Sequence, residues 1–260
     1  MTDAVSFAPD CPLVSAVVPS PNFGPRRAAI DMLLLHYTGM ETAEAAIAAL
    51  RNPAAEVSSH YVVLEDGGIL QLVPEGARAW HAGLSEWEGV SDTNSHSIGV
   101  EIVNGGHEYG LPAYPPAQIA AVTRLSADIV ARHAIRADRV LGHSDVAPAR
   151  KEDPGEHFPW EVLHAAGIGH LVPEAPATGG RFLMPGDSGP PVEAFQAMLA
   201  LYGYGIAVSG LYDAATSQVV TAFQRHFRRS RVDGVADAST IMTLHRLVSS
   251  RPAAARPAMA

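Results

Sequence analysis

The chain has 260 residues, 47% of them hydrophobic, and a net charge of −9 from 18 basic and 27 acidic side chains. That length carries one large domain or a medium one with a small companion, and the apolar content is enough for a packed core. The acidic balance argues against a nucleic-acid partner, which calls for a basic face, and no apolar run nears the roughly 18 residues of a membrane span.

The single cysteine, Cys11, excludes an internal disulfide and does not point to an oxidising compartment. The opening stretch Met1 to Asp10 has neither a basic region nor a long apolar region, so it does not read as a secretory leader. The expectation is a cytoplasmic protein, with the periplasm as the alternative.

Residues 13–30 are rich in Pro, Asn and Gly and read as an extended lead-in. Met32-Leu33-Leu34-Leu35-His36 is a short apolar run of the kind that forms a fully buried strand. Thr42 then caps a helix of strong formers, Ala43 to Leu50, which Asn52-Pro53 ends. Two β-rich runs, Ser59 to Leu64 and Gly68 to Val73, flank Glu65-Asp66-Gly67 and predict a hairpin. A polar segment with Trp80, His81 and Trp87 leads to the strand-like run Ser97 to Asn104, which contains Glu101.

Pro116 opens a helix with Ile119, Val122, Leu125, Ile129 and Val130 near a 3.6-residue period. Val140 to His143 reads as one more short strand. Alternating strands and helices predict an α/β fold, a mixed β-sheet flanked by helices, for residues 1–170. Residues 171–185 are Pro- and Gly-rich and read as a linker. Residues 186–250 then read as a small three-helix all-α domain. Their apolar faces are Val192/Phe195/Met198/Leu199/Tyr202, Val219/Val220/Phe223/Phe227 and Ile241/Leu244/Leu247/Val248. Residues 251–260 read as a disordered tail.

The chemistry concentrates between Leu141 and Gly155. His143 and Asp153 lie ten positions apart, and they can share a metal ion only if the chain between them folds back, which the Pro148 break permits. A third ligand must come from elsewhere, and His36 at its strand end is the best candidate. Each of these is also an ordinary residue for a strand end or a loop. Glu101 says more, because an unpaired carboxylate in an apolar strand costs several kcal/mol to bury. It either faces water on an edge strand or faces a metal-bound water.

The stretch from His36 to Asp153 resembles the zinc-dependent N-acetylmuramoyl-L-alanine amidases of the type 2 amidase family, in their AmpD/AmiD-like branch. The matching pieces are Leu35-His36-Tyr37-Thr38, Ser58 to Val63, Arg78 to Gly83, Asn94 with Ser97 to Glu101, and the stretch Leu141 to Gly155. Motifs in the family's order over about 120 residues are far more specific than a lone motif. The resemblance implies Zn2+ held by His36, His143 and Asp153, with a fourth position open to water. It implies Glu101 as general base and acid, and Lys151 as the stabiliser of the oxyanion. It also places Trp80, His81 and Asn94 in the groove for glycan and peptide, with strand–loop packing as their alternative role. His60, His96 and His107 are left structural or supporting.

Residues 186–250 resemble the peptidoglycan-binding domain 1 family. The matching pieces are Gly186 to Gln196, Ala215-Thr216 leading to Phe223-Gln224, and Val232-Asp233-Gly234-Val235. A packing or dimerisation domain is the bland alternative. The expected function is hydrolysis of the amide between the muramic acid lactyl group and L-alanine in muropeptides, during peptidoglycan recycling. The alternatives are an exported amidase acting on wall fragments or sacculus, a non-catalytic muropeptide-binding protein, and a zinc peptidase cutting within the stem peptide.

Overall fold

The computed structural model describes residues 7–177, 179–180 and 182–252. Most of the opening stretch read for a leader, and residues 253–260 of the tail, lie outside them. The lead-in is more ordered than its composition suggests. It contributes two short strands, β1 (Ala16–Val17) and β2 (Phe23–Pro25). Next come β3 (Met32–Tyr37), helix α1 (Ala43–Leu50), and the hairpin of β4 (Tyr61–Val63) and β5 (Ile69–Gln71). The polar segment holds β6 (Ala77–Ala79) and the one-turn helix α2 (Thr93–His96). The α/β part closes with β7 (Ser97–Ile102), α3 (Pro116–His133), β8 (Val140–Gly142), α4 (His143–Val146) and α5 (Trp160–Ala165). The three expected C-terminal helices are α6 (Pro190–Tyr202), α7 (Ala214–Phe227) and α8 (Ala238–Ser249).

Six strands form a mixed sheet in the order β1-β5-β4-β7-β3-β8, and β2 pairs with β6 beside it. Strand β3 runs parallel to both β7 and β8, with His36 opposite Glu101 and Leu35 opposite Gly142. The hairpin turn is tight: Gly67 has φ +89°, and a side chain there would meet the Ala117 carbonyl at 2.9 Å. That combination requires glycine.

The run of apolar residues in β3 has a structural reason. A strand in the middle of a parallel set must be covered on both faces, so its side chains cannot alternate with polar ones. Leu33 and Leu35 face one core with Ile98, Val100, Ile102 and the helices α3 and α5. Met32 and Leu34 face the other core, which they share with Val192, Phe195, Leu199 and Phe223 of the helical module. The module is therefore the second covering layer of the sheet. The Pro- and Gly-rich connection is fastened as well, because Thr243 accepts the Ala175 N–H and Ser239 donates to the Ala175 carbonyl. Arg251, read from sequence as the first tail residue, instead holds Asp138 at 2.7 Å and pairs with Glu88.

Candidate metal centre

Side chains alternate along β7. Ile98, Val100 and Ile102 enter the core under α3, so Ser97, Gly99 and Glu101 face the other way. In register with His36, Glu101 stands beside it at the carboxyl ends of the parallel strands, where α/β sheets open to ligands. His143 begins α4 directly after β8. The chain then turns through Pro148 and returns, with the Asp153 carbonyl accepting the Ser144 N–H at 2.9 Å. The fold thus makes the reversal that the sequence permits.

Three donor atoms converge. His36 Nδ1 lies 3.0 Å from His143 Nδ1 and 2.9 Å from Asp153 Oδ2, and the last two atoms are 3.0 Å apart. All three residues are buried. Donors about 2.0 Å from a tetrahedral zinc lie roughly 3.3 Å from one another, so this triangle is close to the size a metal ion needs. The set His36, His143 and Asp153 is one that could hold a metal ion, and its chemistry of two imidazoles and one carboxylate fits such an ion.

The electrostatics suit a cation. Burial, reinforced by the His143 ring, lowers His36 to about 4 against the pull of Asp153. His36 is therefore neutral near pH 7, as a ligand must be. Burial pushes the Asp153 carboxyl up, but His143 and His36 outweigh it and hold it below the usual carboxylate range. The far sides of both rings are also fixed. His143 Nε2 donates to the Ala82 carbonyl at 3.0 Å, which leaves its Nδ1 lone pair facing the centre. His36 Nε2 lies 3.1 Å from His81 Nδ1, and His81 Nε2 lies 3.3 Å from Ser97 Oγ, which donates to the Thr93 carbonyl. Gly99 leaves the space for this ring, because a Cβ there would fall 2.5 Å from His81.

A cleft of about 410 Å³ opens over the centre, lined among others by Tyr37, Trp80, Glu101, His107, Lys151 and Asp153. Glu101 Oε2 is buried and has no hydrogen-bond partner among the described residues. Burial and the neighbouring Asp153 raise its pKa well above the carboxylate range, with Lys151 pulling the other way. A carboxylate left unpaired at such a place is poised to take a proton.

The three residues expected in the substrate groove take different places. Trp80 and His81 both line the cleft, and His81 directs its ring nitrogens to His36 and Ser97. Asn94 is buried away from the cleft, and its Oδ1 accepts the N–H groups of His81 at 3.0 Å and Ala82 at 2.8 Å. It acts on the backbone that receives His143, because a buried amide oxygen goes to the nearest unpaired donors. His60 packs against Arg26, and His96 pairs with Asp31 at 3.2 Å. His107, left structural or supporting in the sequence, is a wall of the cleft with the Tyr37 hydroxyl 3.0 Å from its Nδ1.

Sequence reasoning missed Tyr37 and Arg150. Burial raises the Tyr37 phenol to about 12, so it stays protonated. The Arg150 guanidinium shares the Ala82 carbonyl with His143. The available signal was position: Tyr37 follows the first ligand, and Arg150 precedes Lys151.

Comparison with known proteins gives matches over both parts of the chain. The N-acetylmuramoyl-L-alanine amidase family model matches residues 26–156, and a peptidoglycan binding domain model matches residues 188–244. The N-acetylmuramoyl-L-alanine amidase AmiD of Escherichia coli is 38% identical over 234 residues, covering 81% of this chain and 79% of its own length. The 1,6-anhydro-N-acetylmuramyl-L-alanine amidase AmpD of the same organism is 41% identical over 104 residues, 40% of this chain, and this chain spans 55% of its length. The solved complex of Escherichia coli AmiD with anhydro-N-acetylmuramic acid-L-Ala-D-gamma-Glu-L-Lys superposes with a TM-score of 0.74 at 34% identity, over 87% of this chain and 92% of that one. AmpDh3 from Pseudomonas aeruginosa also gives a TM-score of 0.74, at 31% identity over 91% and 96% of the two chains. On the family model and the extent of the AmiD match together, the chain belongs to the N-acetylmuramoyl-L-alanine amidase family.

Proposed function

We propose that this amidase uses a zinc ion held by His36, His143 and Asp153 to cut the amide between the muramic acid lactyl group and L-alanine in soluble muropeptides. The observation that carries the reading is the triangle of ligand atoms beside a buried carboxyl oxygen with no partner. Bound zinc supplies Lewis acidity and lowers the pKa of a water toward neutrality. Glu101 takes the proton of the attacking water and delivers it to the leaving amine. Lys151 presents its ammonium to the charge that develops on the carbonyl oxygen. Tyr37, Trp80 and His107 form walls that orient the substrate, and His81 and Asn94 hold the ligand set from behind.

The AmiD complex supports a 1,6-anhydro sugar with a short stem peptide as substrate, since that structure holds such a fragment. This is the product type that peptidoglycan recycling consumes. The test is metal content of the purified protein, activity before and after chelation, and mass spectrometry of a muropeptide digest. Free peptide plus sugar, lost on chelation and restored by zinc, is the expected result. Shortened peptide would mean a peptidase, and an intact bound fragment a recognition protein.

The helical module favours a second reading, an exported enzyme acting on wall fragments, because a wall-binding fold belongs where the wall is. Among the described residues no helix is long and apolar enough to cross a membrane, which suits either compartment. Cell fractionation, with each fraction assayed on anhydromuropeptides and on sacculi, separates cytoplasmic recycling from periplasmic action.

A further inference from the structure

Asp145 lies two residues after His143 and is fully buried. It is neither a candidate ligand nor part of the chemistry above. Its Oδ2 accepts the Gly142 N–H at 2.8 Å, which fixes the turn that presents His143. Its remaining hydrogen bonds come from the helical module. Tyr204 donates its hydroxyl to Oδ1 at 2.6 Å, and His226 donates from Nδ1 to Oδ2 at 2.7 Å. Both donors are themselves seated. Tyr204 packs edge-on against Trp87, and His226 is stacked on Trp160 with ring centroids 3.7 Å apart.

Helix α7 and the residues just beyond it grip the chain again further on. Arg225 holds Glu152 at 2.5 Å, between Lys151 and Asp153. Arg229 donates to the Phe158 carbonyl at 2.9 Å and to the Glu156 carbonyl at 3.3 Å. These contacts fall on a segment that has no regular secondary structure beyond one helical turn. Helix α4 is a single turn, and residues 147–159 form only turns, tied by short-range backbone hydrogen bonds such as Arg150 N–H to the Ala147 carbonyl and Gly155 N–H to the Glu152 carbonyl. One turn of helix gains too little to stand alone, and a metal site needs its ligands fixed to well under an ångström.

We propose that the helical module is part of the metal centre. Through Tyr204, Arg225, His226 and Arg229 it positions the segment carrying His143, Lys151 and Asp153, so that zinc affinity depends on it. These are positioning residues, since none reaches the ligand atoms. The proposal rests on the zinc reading above and adds a role beyond wall binding to the module.

The test uses the full chain with Tyr204→Phe and His226→Phe combined, which removes both donors and keeps both rings in their packing. Zinc affinity is read by competition with a chromophoric chelator, well below the melting temperature of each metal-free protein. The expected result is binding weakened about tenfold or more, the usual scale for groups that orient ligands, with an unchanged far-ultraviolet spectrum. Affinity within about twofold of wild type, with only the metal-free melting temperature lowered, would overturn the proposal by making the contacts packing alone. Should the double variant not fold, Arg225→Gln removes a contact near the surface; weaker zinc binding supports the proposal, and unchanged binding overturns it. A wild-type chain that binds no zinc sinks both this inference and the function it rests on, whereas a zinc-binding wild type with equally tight variants sinks this inference alone.

Discussion

Two glutamates with buried carboxyl oxygens in the α/β part of the chain have opposite surroundings. Glu75, beyond the hairpin, accepts from the Tyr61 hydroxyl at 2.6 Å, from the His133 ring at 2.8 Å and from Arg132 at 2.7 Å. Those partners outweigh the effect of burial and hold its carboxyl down at about 2. Glu101, at the floor of the cleft, has a buried oxygen with no partner, and burial drives its pKa up. A buried charge without partners costs several kcal/mol, and a fold keeps such a cost where chemistry uses it. For these two carboxyls the pairing state, and not burial, separates scaffold from candidate site.

The sharpest way to break that comparison is at the centre itself. His143→Ala removes one corner of the ligand triangle, and the expected outcome is loss of stoichiometric zinc together with all muropeptide cleavage, read by metal analysis and mass spectrometry. Glu101→Ala comes next. Zinc content should stay at wild-type level while turnover falls by about 10²–10⁴-fold, the usual share of a general base. Normal turnover in that variant would mean that an unpaired buried carboxylate here is not the base.

Much of the site was legible because β-strands write their faces into sequence. Ser97, Gly99 and Glu101 alternate with Ile98, Val100 and Ile102, and the odd member Glu101 is the catalytic candidate. His36 stood out by ending an apolar run. Arg26 was missed in the lead-in because its partners are the carbonyls of Glu75, Ala77, Asn94, Ser95 and Ser97. A backbone carbonyl has no side-chain signature, so no residue type announces the cage. The grip of His226 on Asp145 crosses 81 positions of chain and leaves no local pattern either. The Pro- and Gly-rich connection marks where the chain changes from mixed to helical structure, and periodicity alone does not reveal that both parts share a core.

The helical module extends the satisfied side of the comparison. Gln196 is fully buried, donates to the Leu211 carbonyl and Thr216, and accepts the N–H groups of Ser209 and Gly210 at 2.9 Å each. Gln224 repeats this one helix later with Val235, Thr240, Asp233 and Gly234. The paired Phe-Gln steps of the sequence are thus two copies of one loop clamp, each leading to an Asp that caps the next helix. Gln196→Ala strands several buried groups at ~1–3 kcal/mol for each left unpaired. The expected loss is about 2–4 kcal/mol in urea unfolding, with zinc content unchanged because Gln196 touches none of the residues that grip the metal segment.

The smallest effect is expected at Glu75, and pH makes it diagnostic. A carboxyl held at about 2 in the folded chain, against an ordinary value of 4.5, binds its proton more readily when unfolded. Its contribution to stability is therefore complete above the ordinary value and drains away as pH falls toward 2. Glu75→Gln keeps the shape and removes the charge that Arg132 reads, so the variant should lose about 1–2 kcal/mol at neutral pH, the scale of a hydrogen bond to a charged group. The gap between the two melting curves should narrow below pH 4.5 and close near pH 2. A gap that stayed constant with pH would mean that Glu75 stabilises by shape alone, and the contrast with Glu101 would then rest on packing and not on charge.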